Sequence, residues 1–311
     1  MGIISIWGDG RVGLAQPTDP SQLKAADSGW CAALEAWGGW VPAQWNGHSA
    51  LAAGWQSQRR VPGGPVLLTG PASSSLDCAW YWVQAGAFPP GASVLPLSQW
   101  AGRGQFGRNW ISPPGNVYAA WRVPERAAGA AEGLSLALRM GYAVVQVLTG
   151  LGLHVLLKWP NDVVLDGEKV AGLLCEQRDD VMMVGLGINL ASSPPREDLR
   201  EDHAVPAGSL RKRGISVSPL DLWLRVRSAA EVYLEEPPPV AAVEGALAYR
   251  GQWVEVRRGD APVFSGRVLG VTDRGALRVY TSAGERQLFS ASIQPPGALH
   301  APPTEFSTLQ R

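Results

Sequence analysis

Glycine and arginine alternate in the stretch GRGQFGRNWISPPGN, which runs from Gly102 to Asn116. Glycine lets the backbone approach a ligand closely, and Arg103 and Arg108 carry the paired N–H donors that bind phosphate or carboxylate oxygens. Trp110 can supply an apolar or stacking wall. Such a loop is suited to a phosphate ester, but a surface turn with solvated arginines has the same composition. The loop alone leaves both interpretations open.

A second group of charged residues lies in the sequence KWPNDVVLDGEK, which spans residues 158–169. Lys169 follows an Asp-Gly turn, which predicts a β-hairpin. A hairpin lysine is ordinarily a solubilising charge at a sheet edge. Because it lies near Asp162, a candidate magnesium ligand, Lys169 has a second interpretation as a group that neutralises phosphate charge.

Composition limits the classes of partner. The chain has 311 residues, with 27 Lys plus Arg and 27 Asp plus Glu, so no charge excess points to nucleic acid or to an anionic membrane. It has no apolar run of about 18 residues that would cross a bilayer. Residues 1–20 lack the basic start and apolar core of a signal peptide. The widely spaced Cys31, Cys78 and Cys175 predict reduced thiols, no structural metal and a cytoplasmic protein.

Residues 1–64 are a tryptophan-rich segment, and the sequence does not reveal its role. A short helix is expected over Asp27–Trp37. No basic second helix follows it at a tight turn, which argues against a helix-turn-helix DNA reader. Aromatic side chains in a folded segment are usually buried, so we expect them to pack against the next domain. The sequence VPGGP, at residues 61–65, is typical of a linker. The tryptophans of this segment are Trp7, Trp30, Trp37, Trp40, Trp45 and Trp55.

After the linker, hydrophobic periodicity predicts an α+β domain. The glycine-rich loop joins two predicted strands, unlike the strand-to-helix phosphate loop of nucleotide hydrolases, and neither GxxxxGKS nor GxGxxG occurs. Ser74 or Ser75 is expected at the start of the first helix, where free N–H groups can also meet a polar ligand. The predicted strands are Val66–Leu68, Val94–Leu97, Asn116–Val123, Val155–Lys158, Val163–Leu165, Val170–Glu176 and Val181–Leu190, and the predicted helices are Ser75–Ala85, Ala130–Leu151 and Leu220–Leu234.

Three motifs in this order, GRGQFGRNWISPPGN, KWPNDVVLDGEKVAG and VGLGIN, resemble those of the biotin protein ligases, which attach biotin to a lysine of a carboxylase carrier domain. Short strands predicted over Gly251–Gln294 resemble the small β-barrel that ends these enzymes. The resemblance implies an α+β fold: a central mixed β-sheet catalytic domain, class II synthetase-like and flanked by helices, with a C-terminal small β-barrel. We expect the catalytic domain at 65–245, the barrel at 246–298 and a flexible tail at 299–311.

The family's chemistry would join biotin and MgATP into biotinyl-AMP, which a carrier lysine then attacks. Two anions meet in the first step, so cations must neutralise the developing charge. No nucleophilic side chain is needed, because the substrates themselves attack. The resemblance implies catalytic roles for Lys169, Arg103, Arg108 and Lys158, biotin binding by Ser74, Ser75, Gln99, Arg103, Gly104, Gln105 and Lys169, ATP binding by Arg108, Trp110, Asn161 and Asn189, and Mg²⁺ binding by Asp162.

Two positions depart from the family pattern. Ser-Thr-Asn usually precedes the first helix, where this chain has Ser74-Ser75-Leu76, so one polar contact is expected to be missing. A basic residue, associated with retention of the reactive adenylate, is common where this chain has Gln105. Glutamine keeps hydrogen bonding but lacks the charge. The sequence therefore predicts that this chain releases biotinyl-AMP more readily than a typical member.

Two other functions stay open at this point. A lipoate protein ligase would share the fold and the adenylation chemistry, and a biotin-responsive repressor would bind operator DNA through its first segment. The GRG and KWPND motifs with the terminal barrel favour biotin, while zero net charge and the missing helix-turn-helix argue against the repressor. The sequence predicts no nucleic-acid or membrane partner, and it leaves a homodimer open.

Overall fold

A large mixed sheet organises the protein, for which the computed structural model describes residues 2–8, 13–47, 51–125, 134–195, 197, 205–259 and 261–296. Within these ranges, its strand order is β2-β3-β1-β4-β5-β6-β10-β9-β8-β7. The β1–β4 and β4–β5 pairs are parallel, and the other neighbouring pairs are antiparallel. The strands are β1 (Gly2–Trp7), β2 (Trp40–Asn46), β3 (Leu51–Val61), β4 (Val66–Thr69), β5 (Ser93–Pro96), β6 (Val117–Arg122), β7 (Val155–Lys158), β8 (Asp162–Leu165), β9 (Glu168–Arg178) and β10 (Val181–Ile188).

Buried side chains form hydrophobic cores on both faces of the sheet. Successive strand residues point to opposite faces, and accordingly Leu68 belongs to the larger core and Leu67 to the smaller one. The larger core includes Leu138 and Trp223 from two helices that pack together, and the smaller core includes Trp80 from a third. The helices are α1 (Pro20–Ala26), α2 (Ser28–Ala36), α3 (Ser75–Gln84), α4 (Leu136–Gly150), α5 (Pro219–Glu235) and α6 (Val240–Gly245).

The first sixty residues belong to the same sheet as the rest of the chain, because β1 pairs with β4. The linker interpretation of VPGGP is therefore wrong: Val61 ends β3 and Val66 begins β4, and Arg227 of α5 donates a hydrogen bond to the carbonyl of Gly64 at 2.9 Å. Glycine and proline mark turns as readily as linkers. Burial of the tryptophans is confirmed, since Trp7 and Trp30 are buried and the other four are partly buried against the cores.

Helix boundaries differ from expectation in two places. The sequence missed α1, a short helix that Asp27 separates from α2; the Asp27 carboxylate caps α2 by accepting the N–H groups of Gly29 and Trp30. The predicted helix over 130–151 begins only at Leu136, and its predicted residues 130–133 lie outside the described residues. Leu134, expected inside that helix, lies before it. Apolar periodicity continues through the buried residue before a helix, so it does not define the start.

The C-terminal strands form a separate antiparallel sheet in the order β14-β13-β12-β11-β15. Within the described residues, its two edge strands β14 and β15 do not pair with each other, so the expected barrel is an open sheet here. Trp159 anchors this sheet to the large one by donating its indole N–H to the carbonyl of Gly275 at 2.9 Å. Among the described residues, every helix is too short or too polar to cross a membrane. The strands are β11 (Trp253–Arg257), β12 (Phe264–Val271), β13 (Leu277–Thr281), β14 (Gly284–Leu288) and β15 (Ser292–Gln294).

Candidate active site

A floor of glycines lies on the face of the large sheet that carries α3. Gly172 of β9 pairs with Gly187 of β10, and Gly185 lies two residues before Gly187 on the same face. A Cβ atom at Gly187 would lie 2.5 Å from the Trp110 indole, and one at Gly172 would lie 2.9 Å from it. The two glycines therefore let a large ring from the glycine-rich loop lie flat on the strands. The indole N–H of Trp110 is buried and has no hydrogen-bond partner in the described part of the chain.

The glycine-rich loop crosses this floor between β5 and β6, as the sequence predicts. Its tip is a tight turn over Gln105–Gly107, in which Phe106 and Gly107 have φ angles of 57° and 70°. The N–H of Gly104 donates to the carbonyl of Arg108 at 2.8 Å, which closes the turn. The Phe106 side chain is 71 % exposed beneath the Arg108 guanidinium, which lies 5.6 Å from the ring centroid. The loop thus stands over the cleft with an arginine and an aromatic ring at its tip.

Arg103 fastens the loop to the protein through two carboxylates. Its guanidinium lies 3.1 Å from Asp77 in the first turn of α3 and 2.9 Å from Glu176 on β9. Trp80 of α3 donates its indole N–H to Glu176 at 2.7 Å, which holds that carboxylate in place. Planar guanidinium groups suit such paired contacts better than lysine does. Arg103 therefore joins the loop, the helix and the sheet on one side of the cleft.

Lys158, Asp162 and Lys169 form one ion-paired group on the other side. The Asp162 carboxylate lies 2.5 Å from the Lys169 ammonium and 3.2 Å from the Lys158 ammonium. Burial raises the pKa of the Asp162 carboxyl, but the attraction and hydrogen bonds of the two lysines outweigh it and hold the pKa below its usual value. The Lys169 ammonium also lies 5.1 Å from the Trp110 ring centroid. The group carries a net positive charge that faces the cleft.

The lowered Asp162 pKa predicts how stability depends on pH. The folded pKa lies below the unfolded value of about 3.9, so the ionised form stabilises the fold above that pH and the contribution is lost as pH falls through the folded pKa. Asp162→Asn is expected to lower the free energy of unfolding by about 3 to 5 kcal/mol at pH 7. Urea unfolding should show this deficit shrinking below about pH 4. An unchanged deficit at pH 3, or an equal one for the exposed control Asp180→Asn, would contradict the assignment.

The ion-paired group does not fit the magnesium role expected for Asp162. One carboxylate oxygen faces each lysine ammonium, so both are already occupied by cations. Within the described residues, no three His, Cys, Asp or Glu side chains gather closely enough to hold a metal. Sequence reasoning chose Asp162 because carboxylates bind Mg²⁺, but the hairpin register brings the two lysines to it first.

The start of α3 forms the end wall of the cleft. Ser74 is the helix N-cap, with its hydroxyl accepting the N–H of Asp77 at 3.0 Å. The N–H of Ser75 donates to the Gln99 side-chain carbonyl at 2.7 Å, and the Gln99 amide donates to the Ser112 hydroxyl at 2.8 Å. Gln99 thus links the helix start to the end of the glycine-rich loop. These groups present hydroxyl and amide functions to a polar ligand.

The structure brings nearly all the predicted residues to this cleft. The exception is Asn189, which is buried and donates to the Lys169 carbonyl at 3.4 Å. Its side-chain oxygen has no hydrogen-bond partner among the described residues. Asn161 lines the cleft, but its amide also donates to the Leu173 carbonyl, so it holds the turn before β8. The predicted residues that line the cleft are Ser74, Ser75, Gln99, Arg103, Gly104, Gln105, Arg108, Trp110, Lys158, Asn161, Asp162 and Lys169.

Sequence reasoning missed the two carboxylates that hold Arg103 and two residues that line the cleft. Glu176 could have been found, because β-strand alternation places it on the same face as Gly172 and Leu174. Asp77 carried no such signal, since an acidic residue in a first helical turn is common for reasons of capping alone. Ala291 and Ser292 line the cleft from the C-terminal sheet, and this contact depends on how the two sheets pack.

Comparison with known proteins places this arrangement in a family. Residues 88–190 match the biotin/lipoate A/B protein ligase family, and residues 250–293 match the biotin protein ligase C-terminal domain. A biotin--[acetyl-CoA-carboxylase] ligase of Paracoccus denitrificans is 33 % identical over 216 residues, which are 65 % of this chain and 89 % of that protein. The chain belongs to the biotin protein ligase family. The resemblance seen in the sequence motifs is thereby confirmed.

Other relatives extend the comparison. The bifunctional ligase/repressor BirA of Salmonella typhimurium is 32 % identical over 215 residues, and the match covers 62 % of each protein. The solved biotin protein ligase of Aquifex aeolicus, in complex with biotin and ATP, superimposes with a TM-score of 0.65 at 24 % identity, covering 74 % of this chain and 98 % of that one. That similarity shows a shared fold, and it confirms the predicted α+β class with its central mixed sheet.

Proposed function

We propose that this biotin protein ligase uses the cleft to adenylate biotin with ATP and then passes biotin to a lysine of a carboxylase carrier domain. The proposal rests on one observation, which is that the cleft has two walls of different chemistry. Lys158, Lys169 and their shared carboxylate give one wall a positive charge, and the other wall is the loop held by Arg103. A cleft of this kind suits one reactant with phosphates and another with a polar ring.

In the first step, a biotin carboxylate oxygen attacks the α-phosphorus of ATP. The new O–P bond replaces the bond to the β-phosphate oxygen, which leaves with its electron pair as pyrophosphate. Negative charge gathers on the α-phosphate oxygens as this happens, so fixed cations close to them lower the barrier. Lys169 is the cation best placed for this role, because Asp162 and the Trp110 ring hold its ammonium between them. Lys158 and Arg108, which also line the cleft, add positive charge.

In the second step, the unprotonated amine of a carrier lysine attacks the carbonyl carbon of the mixed anhydride. The C–O bond to phosphate breaks, AMP leaves with the electron pair, and the amine loses its proton to solvent. No side-chain nucleophile is required, and both bonds form between substrates. The protein's contribution is to align the reactants and to keep charge neutralised.

The polar ring of biotin is assigned to the end wall of the cleft. Its ureido group offers N–H donors and a carbonyl acceptor that can pair with Ser75, Gln99 and the loop backbone near Gly104. The Trp110 indole gives ATP an aromatic surface. Magnesium held by Asp162 is not part of the proposal, because lysines occupy both carboxylate oxygens; any Mg²⁺ would have to arrive with the ATP phosphates.

Lipoate is the alternative substrate, and its dithiolane ring lacks the ureido donors and acceptor. A site built to hydrogen-bond a polar ring rejects an analogue without those groups. Pyrophosphate release is therefore expected to be at least about a hundredfold faster with biotin than with lipoate at equal concentration. Comparable rates with the two acids would overturn the biotin assignment. Transfer of labelled biotin to a purified carboxyl carrier domain then tests the second step.

Other expectations from the sequence stay predictions. Gln105 lines the cleft at the loop tip, in keeping with the suggestion that its lack of charge weakens retention of biotinyl-AMP. A carboxylase carrier domain as acceptor, a cytoplasmic location and the absence of a nucleic-acid partner are likewise predictions, and the sequence leaves a homodimer open.

A further inference from the structure

The N-terminal part of the chain contacts the end wall of the cleft through its backbone. The carbonyl of Leu14 accepts the N–H of Ser73 at 2.7 Å, and the N–H of Gln16 donates to the carbonyl of Pro71 at 2.7 Å. Ser73 immediately precedes the cap of α3. The chain leading into the end wall is therefore paired on one side with residues from the N-terminal segment.

The pairing of residues 14–16 with residues 71–73 begins a short ladder of isolated β-bridges that ends in the glycine-rich loop. Ala15 pairs with Ala72, Ala72 pairs with Gln99, and Gln99 pairs with Ser112. Gln99 also holds the start of α3 and the Ser112 hydroxyl with its side chain. Backbone hydrogen bonds thus run without a break from the N-terminal segment to the groups assigned to biotin.

The N-terminal segment meets the same parts of the site at two further points. Trp7 stacks on Tyr81 of α3 with ring centroids 5.8 Å apart, and its ring meets Trp82 edge-on at 5.0 Å. At the exit of the glycine-rich loop, Gly115 has a φ angle of 90°, and a Cβ atom there would lie 2.8 Å from the Asp27 carboxylate. The segment therefore contacts α3 at its start and along its body, and it also contacts the loop.

We propose that residues 2–8, 13–47 and 51–61 are a positioning element for biotin, with the Leu14–Gln16 stretch setting the geometry of the end wall. This inference rests on the proposed function of the cleft. It assigns a role to the N-terminal segment, which lies outside the three family motifs. Loosening the stretch is expected to weaken biotin binding more than ATP binding, because Leu14 and Gln16 bond directly to residues 71–73, which lead into the end wall assigned to biotin.

Gln16→Pro removes the N–H that bonds to the carbonyl of Pro71. The Gln16 side chain is exposed, and the bridge of Ala15 to Ala72 is compatible with the extended conformation that a proline favours in the residue before it. The KM for biotin is expected to rise about fivefold to tenfold, with the KM for ATP changed less than about twofold. Gln16→Ala, which keeps the N–H, and Ser28→Pro, at the first position of α2 where proline is tolerated, are the matched controls.

A purely structural role would lower kcat with both KM values unchanged, and that result would overturn the proposal. Hydrogen exchange of the wild-type protein gives a second measurement that needs no variant. Saturating biotin is expected to slow exchange at the amides of Gln16 and Ser73 about tenfold, with the edge strand β2 unaffected. Equal exchange with and without biotin would also overturn it. A wild-type protein without biotin-dependent pyrophosphate release would instead refute the proposed function, so the two failures are distinguishable.

Discussion

Lys169→Ala is expected to lower biotin-dependent pyrophosphate release at least about a hundredfold while the protein stays folded. The Lys169 ammonium is held between the Asp162 carboxylate and the Trp110 ring at the positive wall of the cleft. A charge-assisted contact contributes about 1.5 to 3 kcal/mol in a ground state, and a fixed cation contributes more as charge develops on the α-phosphate. The fold should survive, because Asp162 keeps Lys158 as its partner.

Two measurements separate chemistry from folding in this variant. Pyrophosphate release reports the first step, and transfer of labelled biotin to a carrier domain reports the whole reaction. Lys24→Ala, a lysine of α1 with no place in the cleft, is the control and should match the wild type. Lys169→Arg is expected to recover part of the rate, because it keeps the charge but changes its shape. Equal transfer by wild type and Lys169→Ala would remove Lys169 from the catalytic set.

Most of the candidate site could be predicted from the sequence, because its residues lie in strands, turns and a helix start whose patterns depend only on neighbouring residues. The hairpin at Asp166 and Gly167 follows from turn chemistry, and it brings Lys169 beside Asp162 as expected. The helix start at Ser74 likewise follows from capping preferences, and its N-cap role is observed. These predictions needed only residues a few positions apart.

The remaining features depend on contacts between distant parts of the chain. The pairing of β1 with β4 joins segments about sixty residues apart, and no local pattern specifies such a partner. The same holds for Arg103, whose carboxylate partners come from α3 and β9. At Asp162 the local sequence was misleading. A lone carboxylate suggested a metal ligand, whereas the strand register places a lysine ammonium at each of its two oxygens.

Arg103→Ala is expected to raise the KM for biotin about thirtyfold or more, with a much smaller effect on the KM for ATP. The substitution removes two ion pairs that hold the glycine-rich loop and leaves the carboxylates of Asp77 and Glu176 without the guanidinium between them. Losing one partially exposed charge-assisted contact of about 2 kcal/mol already corresponds to about thirtyfold.

Arg178→Ala is the matched control, because Arg178 also approaches Glu176, at 3.8 Å, but has a 48 % exposed side chain and lies outside the loop. Exposed pairs contribute little, so its KM for biotin should stay within about twofold of the wild type. Pyrophosphate release with biotin varied at saturating ATP, and then with ATP varied at saturating biotin, gives both constants. A rise confined to the KM for ATP would place Arg103 at the nucleotide instead. Equal effects in the two arginine variants would mean that charge near Glu176, rather than the hold on the loop, controls biotin binding.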